Sequence, residues 1–521
     1  MSAIGTFPVR HRGLILVGLV VAALLEVMDT TIINVALPQM AGSLGVTSVQ
    51  IAWVSTGYIL ANAVVLPMTA WLSERLGRRQ YLLASILLFT VASFLCGLSH
   101  FLIEIVFWRI VQGAAGAALI STAQAVVVRV FPKEQQGAVQ SVFGLSLLAA
   151  PAIAPWLGGL ITDHYSWPWV FFVNLPIGAL AAVLIGFFYR EPRCEGQRTS
   201  VPADGLGIFL LVAGMGSLQY VLEEGQRQDW FSDRSIVILS ITAAVSLTGL
   251  IVWELWPANR SPLVDLRIYR ERSLSSGVSL NFAAGFGMYG IAFLLPQFTQ
   301  MILGLTPTAA GAALIPEGVA TIGAVAVCGL LLNRKADPRP LIGLGLVLAG
   351  AGAWLMTLLT AQSGIEDMWL PLILEGAGIG FLFIPVSLVA FADLEGAQIE
   401  QGAAQLGLGR QLGGAIGVAL LGTTFARMTA EHRAVLVSHI VAGSPPLMGR
   451  LSVISGSLVS HGYSLAQAQL AALKVVDNAV QAQAMTLSYT DAFWLVCISY
   501  LLSLPLILSF RKPREQKQQH R

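Results

Sequence analysis

Apolar runs of about twenty residues recur along this chain from residue 13 to residue 510, and no other feature restricts its fold so severely. A helix needs roughly 20 apolar residues to cross about 30 Å of hydrocarbon. Such runs fall near 13–36, 50–72, 80–99, 101–127, 138–160, 169–189, 205–223 and 235–256, and again near 275–298, 308–332, 340–360, 369–391, 403–426 and 490–510, fourteen in all. In lipid each backbone N–H and C=O must be satisfied by the chain itself, so every run is expected to be a helix. Only 11% of the residues are charged, too few to coat a water-facing exterior, where soluble domains carry about 25%. The first run follows Arg10, His11 and Arg12; it is too long for a signal peptide and lacks a small-residue cleavage site.

Lysine and arginine placement sets the expected orientation. With a cytoplasmic N-terminus, 22 of the 30 basic residues fall in inside segments, six fall outside, and Arg109 and Arg410 lie within spans. Both termini are then cytoplasmic. A net charge of +2 excludes the dense basic face that nucleic acid demands. Cys96, Cys194, Cys328 and Cys497 show no metal spacing, so neither a metal nor a cofactor is expected. No GxxxxGK[ST] stretch offers a nucleotide site, and neither HExxH nor GxSxG supports a membrane-embedded enzyme. One connection is long, 428–489, and its Leu470, Leu473, Val476, Val480, Ala484 and Leu487 predict an amphipathic helix.

Glu26 and Asp29 lie three apart in the body of the first run, hence on one helical face. A carboxylate at membrane depth is costly, and its default reading is functional. Proton uptake and release is the expectation for Asp29, against a structural ion pair; for Glu26 direct contact with a cationic solute competes. At 1.5 Å per residue, Asp29 sits about 13 Å below the outer end of span one at Pro38, and Arg109 about 12 Å below that of span four near Phe101. The two are level and oppositely charged, so Arg109 is expected to hold Asp29 deprotonated until their separation changes. A permanent salt bridge is the competing reading. Glu317 and Glu375 are further acids in spans ten and twelve.

An echo joins AWLSERLGRR (70–79), after span two, to GLLLNRKADPR (329–339), after span ten. Spans two and ten are equivalent only if the chain is six spans, two extra and six more. Such repeats give transporters two units that rock about a midplane site. The expected boundaries are 1–190 for the first half, 191–270 for the extra pair and 271–521 for the second half.

The motifs resemble the major facilitator superfamily, specifically its fourteen-span drug/proton antiporters of the EmrB/QacA kind. LEVMDTTIINVALP (25–38) is similar to that group's span-one signature. The 2–3 loop resembles Gly-x-x-x-Asp-Arg-x-Gly-Arg-Arg, with Ala70 for Gly and Glu74 for Asp. RIVQGAAGAA (109–118) resembles the span-four motif. APAIAPWLGG (150–159) resembles the antiporter motif of span five, with Ala150 and Ala154 where glycines usually stand. WPWVFFVNLPIG (167–178), DPRPLI (337–342) and GLGRQLGGAIGVALL (407–421) extend the likeness over nearly the whole chain.

The resemblance implies an all-α major facilitator fold in a bacterial inner membrane, driven by protons and exporting amphipathic compounds. A proton-coupled uptake symporter is the alternative on the same fold. Spans one and four line the central cavity in the resembled fold, with Asn34, Trp53, Tyr58, Asn62, Gln112, Glu317 and Glu375 as candidate lining. Glu74, Arg75, Gly77, Arg78 and Arg79 latch the two halves, although anchoring in lipid headgroups explains the arginines equally well. Pro151 and Pro155 are expected to bend span five, and Gly158 and Gly159 to admit a close neighbour. Arg410 matches a span-thirteen stretch. For 428–489 the resemblance offers docking to a periplasmic adaptor and outer-membrane channel, against a helix resting on the surface.

Overall fold

A computed structural model describes residues 11–190, 204–257, 259, 262–334, 336–394, 398–441 and 443–510. Among them no strand occurs. Among the described residues, thirteen helices are long and apolar enough to cross a membrane: α1 (beginning at Arg12), α2 (Trp53–Leu76), α3 (Arg78–Leu98), α4 (Leu102–Val130), α6 (Pro168–Phe188), α7 (Gly205–Glu224), α8 (Arg234–Leu255), α9 (Arg272–Met301), α10 (Ala309–Asn333), α11 (Pro338–Met356), α12 (Glu366–Phe391), α13 (Gln398–Ser438) and α15 (Leu465–Ser509). Between them stand α5 (Lys133–His164), of 32 residues, and the short α14 (Pro445–Ser460). The expected fifth span falls on α5, a continuous helix several of whose side chains lie outside the described residues.

Two six-helix groups share one packing pattern. In the first, α1 packs on α4, α5 and α6, α4 on α2 and α3, and α3 on α6. In the second, α9 packs on α12, α13 and α15, α12 on α10 and α11, and α11 on α15. Substituting each helix of the first set by its counterpart reproduces the second set. The groups meet crosswise, α5 on α10 and α2 with α4 on α13. The pair α7–α8 lies beside that second seam, with α7 touching both α2 and α13.

Contacts between the groups gather at one end, the end bearing the Arg75–Arg79 turn. Gly137 and Ser141 in the first turns of α5 lie against Asn333 and Gly329 at the end of α10. Hydrogen bonds between the groups, such as Arg78 to Glu400 at 2.6 Å and Gln124 to Ser387 at 3.3 Å, lie at the same end. Large apolar side chains such as Ile103, Phe187, Phe209, Val245 and Leu502 face outward, as lipid-facing residues do.

Two segments differ from expectation. Pro38 does not end α1, which runs as Arg12–Leu44 with Pro38 inside it and Gly45 as its cap. Burial of Ala36 and Met40 on either side holds the helix together past the proline. The long connection 428–489 is no separate loop: α13 continues to Ser438, and α15 starts at Leu465 and enters the bundle without a break. Leu470 and Leu473 point outward, while Ala468 and Ala472 are buried. The small residues at i, i+4 let α15 approach its neighbours, which the bulkier leucines could not do. Arg433 binds Asp477 at 2.6 Å and His432 meets Asp491 at 2.7 Å, tying α13 to α15.

Candidate functional site

Asp29 and Arg109 form an ion pair between α1 and α4, each only 1% exposed. A buried ion pair persists only where further hydrogen bonds satisfy both charges. Here Asp29 Oδ1 accepts from Gln112 Nε2 at 2.9 Å and from Asn174 Nδ2 at 2.8 Å, while Oδ2 accepts from the Arg109 guanidinium. Arg109 also donates to the Val54 carbonyl at 3.0 Å and to Gln112 Oε1 at 2.9 Å. Its guanidinium carbon lies 4.3 Å from the centre of the Tyr58 ring, a cation–π arrangement.

The chain is built to bring these groups together. A Cβ at Gly113 would sit 2.2 Å from the Tyr58 carbonyl oxygen, so α2 lies directly on α4 where Tyr58 covers Arg109. At Gly158 a Cβ would approach Ile32 to 2.8 Å, which sets α5 hard against the Asp29 helix. Gly159 does not share that role: its nearest neighbour, Val35, is 4.0 Å away. Adjacent helical residues point about 100° apart, so only one of the pair can face α1.

One turn before Asp29, Glu26 is only partly buried. It accepts from Asn62 Nδ2 at 3.0 Å and from the Ile120 N–H at 3.2 Å. Arg410, from α13 of the other group, lies within electrostatic reach of it. Arg410 lies 5.6 Å from the Phe383 ring.

The expected cavity lining separates into distinct roles. Asn62 and Gln112 are buried and donate to the two acids of α1, because buried charges claim nearby donors, while the buried Tyr58 ring lies against Arg109. Trp53 packs on Tyr220 of α7, ring centres 5.8 Å apart. Glu375 is fully buried and Glu317 partly so, both in the second group. The side chains of Asn34, Pro151 and Pro155 lie outside the described residues; the backbone of α5 is helical through 151–155.

At the basic end Gly77 adopts φ +85°, a conformation that favours glycine. The turn sends Arg78 to Glu400 of α13, Arg79 to the Gly186 carbonyl at 2.6 Å, and Arg75 over the Trp71 ring at 5.2 Å. Glu74 stays exposed and within electrostatic reach of Arg78 and Arg129.

Sequence reasoning missed Asn174, Glu400 and Tyr500. Asn174 is the one amide in an otherwise apolar run, 169–189, and that isolation was the available signal. Glu400 stands just ahead of the thirteenth run, where an acid reads as an ordinary solvated residue. Tyr500 donates to Glu375 at 3.4 Å, a contact that no local spacing encodes.

Residues 19–418 match the family described as Major Facilitator Superfamily. The chain is 31% identical over 511 residues to the multidrug export protein EmrB of Haemophilus influenzae, covering 97% of each chain. It is 31% identical over 503 residues to EmrB of Escherichia coli K12, covering 95% of this chain and 94% of that one. It is also 30% identical over 493 residues to the fatty acid resistance protein FarB of Neisseria gonorrhoeae, covering 94% of each. Among solved structures, the human organic anion transporter MFSD10 superposes with a TM-score of 0.57 at 14% identity, covering 94% of this chain and 99% of that one. With its repeated six-helix packing and its full-length likeness to EmrB proteins, this multi-pass membrane chain belongs to the major facilitator superfamily of transporters.

Proposed function

We propose that the protein exports amphipathic, hydrophobic or cationic compounds across a bacterial inner membrane in exchange for protons. The observation that carries this reading is the sealed Asp29–Arg109 pair. A carboxylate at membrane depth is functional by default, and here one arginine and two amides hold it ionised until movement of the units lets a proton take the place of Arg109. Each proton moving inward releases about 2.3 kcal/mol per 100 mV of membrane potential. That suffices to move a neutral or monovalent solute outward when one or more protons enter.

In this reading α5 is a membrane span, giving fourteen as six, two and six. The moving units are residues 1–190 and 271–521, with 191–270 as the added pair. Both termini are cytoplasmic, so the Arg75–Arg79 end is the inside face. The two groups touch at that face through Arg78–Glu400 and the α5–α10 contact, which supports an outward-facing state. Glu26 and Arg410 approach from opposite groups and would change separation as the units rock; substrate passes between them. The names of the EmrB and FarB relatives support export of noxious compounds as the physiological task. The α13–α14–α15 hairpin then stands on the periplasmic side, where an adaptor leading to an outer-membrane channel is the partner it would meet.

Everted membrane vesicles give the test. Energised vesicles containing the protein should accumulate a lipophilic cationic dye, and Asp29→Asn protein, inserted at normal levels, should not. Accumulation in right-side-out vesicles instead would establish uptake symport, and undiminished export by Asp29→Asn would remove Asp29 from coupling.

A further inference from the structure

The second group of helices contains a carboxyl pair that the Asp29 site does not use. Glu317, in the first turns of α10, and Glu375, on α12, are hydrogen-bonded to each other through their side chains. The helices meet backbone to backbone at this level: a Cβ at Gly376 would lie 2.3 Å from the Glu317 carbonyl oxygen. From α11, a Cβ at Gly352 would lie 2.9 Å from the Glu375 Cβ. Glycines on two helices therefore press the acids together.

Glu375 has no exposed surface, its Oε1 accepts from Tyr500 of α15 at 3.4 Å, and its Oε2 has no partner that the described side chains supply as an ordinary donor. The titratable groups acting on the pair are the two acids and Tyr500. No lysine, arginine or histidine among the described residues compensates them. Two carboxyl groups in hydrogen-bond contact inside an apolar bundle are not both ionised, because the charges repel at that distance and no cation among the described residues offsets the second. A hydrogen bond between two carboxyl groups also requires a proton on one of them.

We propose that Glu317 and Glu375 form a second proton-binding site, in the second helix group, holding one proton between them, with Tyr500 as the neutral donor that orients Glu375. Glu375 is the sealed member, and the partly buried Glu317 is the one that exchanges the proton with water. The inference deepens the proton-coupled reading given above, but the binding event itself does not require it.

Infrared difference spectroscopy of the full chain in lipid nanodiscs reads protonated carboxyls directly through their C=O stretch and needs no substrate. At neutral pH the wild type should show this band, and Glu375→Gln should lose about one carboxyl of its intensity, because Glu317 alone can ionise toward water. Tyr500→Phe should keep the intensity and shift the band, since the carboxyl loses its hydroxyl donor. Asp29→Asn should leave the band unchanged even where it stops transport, which separates failure of this site from failure of the transport reading. A band that persists at full intensity in Glu375→Gln, or that disappears in Asp29→Asn, overturns the proposal. Should Glu375→Gln not be recovered folded, an unmoved band in Tyr500→Phe overturns it as well.

Discussion

Asn174 donates from α6 to the same Asp29 oxygen that Gln112 reaches from α4, at 2.8 Å and 2.9 Å. The carboxylate is thereby fixed by two helices besides its own, and Asn174 in turn donates to Ser93 of α3 at 3.1 Å. Hydrogen bonds to charged groups contribute about 1.5–3 kcal/mol each. Asn174→Ala should cost stability of that order, lowering the thermal unfolding temperature of purified protein, and should slow dye export. Gln112→Ala should do the same, and a double variant should exceed the sum, since the last amide partner of Oδ1 goes with it.

Breaking the ion pair from either side should be unequal. Arg109→Ala leaves a buried carboxylate unpaired, at a cost of about 3–5 kcal/mol, and should reduce the amount of folded protein in the membrane. Asp29→Asn with Arg109→Gln removes both charges and should restore folded protein while export stays absent. Quantitative immunoblotting beside dye transport distinguishes the outcomes.

The Arg78–Glu400 bridge should hold the basic end closed. Gly137 and Leu332 face each other across the α5–α10 contact, with an ideal Gly137 Cβ 3.4 Å from the Leu332 Cβ, near the separation a disulfide spans. Gly137→Cys with Leu332→Cys should cross-link readily under mild oxidation in a chain otherwise free of cysteine. Adding Glu400→Gln should slow cross-linking several-fold by allowing that end to open; an unchanged rate would show that the bridge has no part in closure.

Gly158 and Gly159 make a paired test of packing. Gly158→Val drives methyl groups into Ile32 and should destabilise by about 1–3 kcal/mol, with export falling in step. Gly159→Ala meets nothing closer than Val35 at 4.0 Å and should be neutral in both melting and transport assays.

Much of this molecule could be read from its residues because lipid imposes a simple rule on sequence. Runs long enough to span must be helices, so their order along the chain is legible, and the likeness between the 70–79 and 329–339 stretches points to a duplication whose main helix pairings the packing repeats. Asp29 and Arg109 stood out for a similar reason, as charges in oil whose equal depth followed from helix rise alone. Contacts across the chain were not accessible. Nothing near Gln112 or Tyr58 says that a buried pair will consume them rather than leave them to face a cavity. Leu470 and Leu473 obey a helical period yet point outward, because period fixes a stripe and not which stripe is covered.

The hairpin carries a mechanical consequence. α13 spans 41 residues in one unbroken piece, from Glu400 beside Arg78 to the tip beyond Arg433, which at 1.5 Å per residue is a rod about 60 Å long. A tilt of about 10° at its root would sweep the far end through about 10 Å. In the transport cycle proposed above, opening and closing at one surface of the bilayer would be broadcast, amplified, to whatever touches the tip on the other.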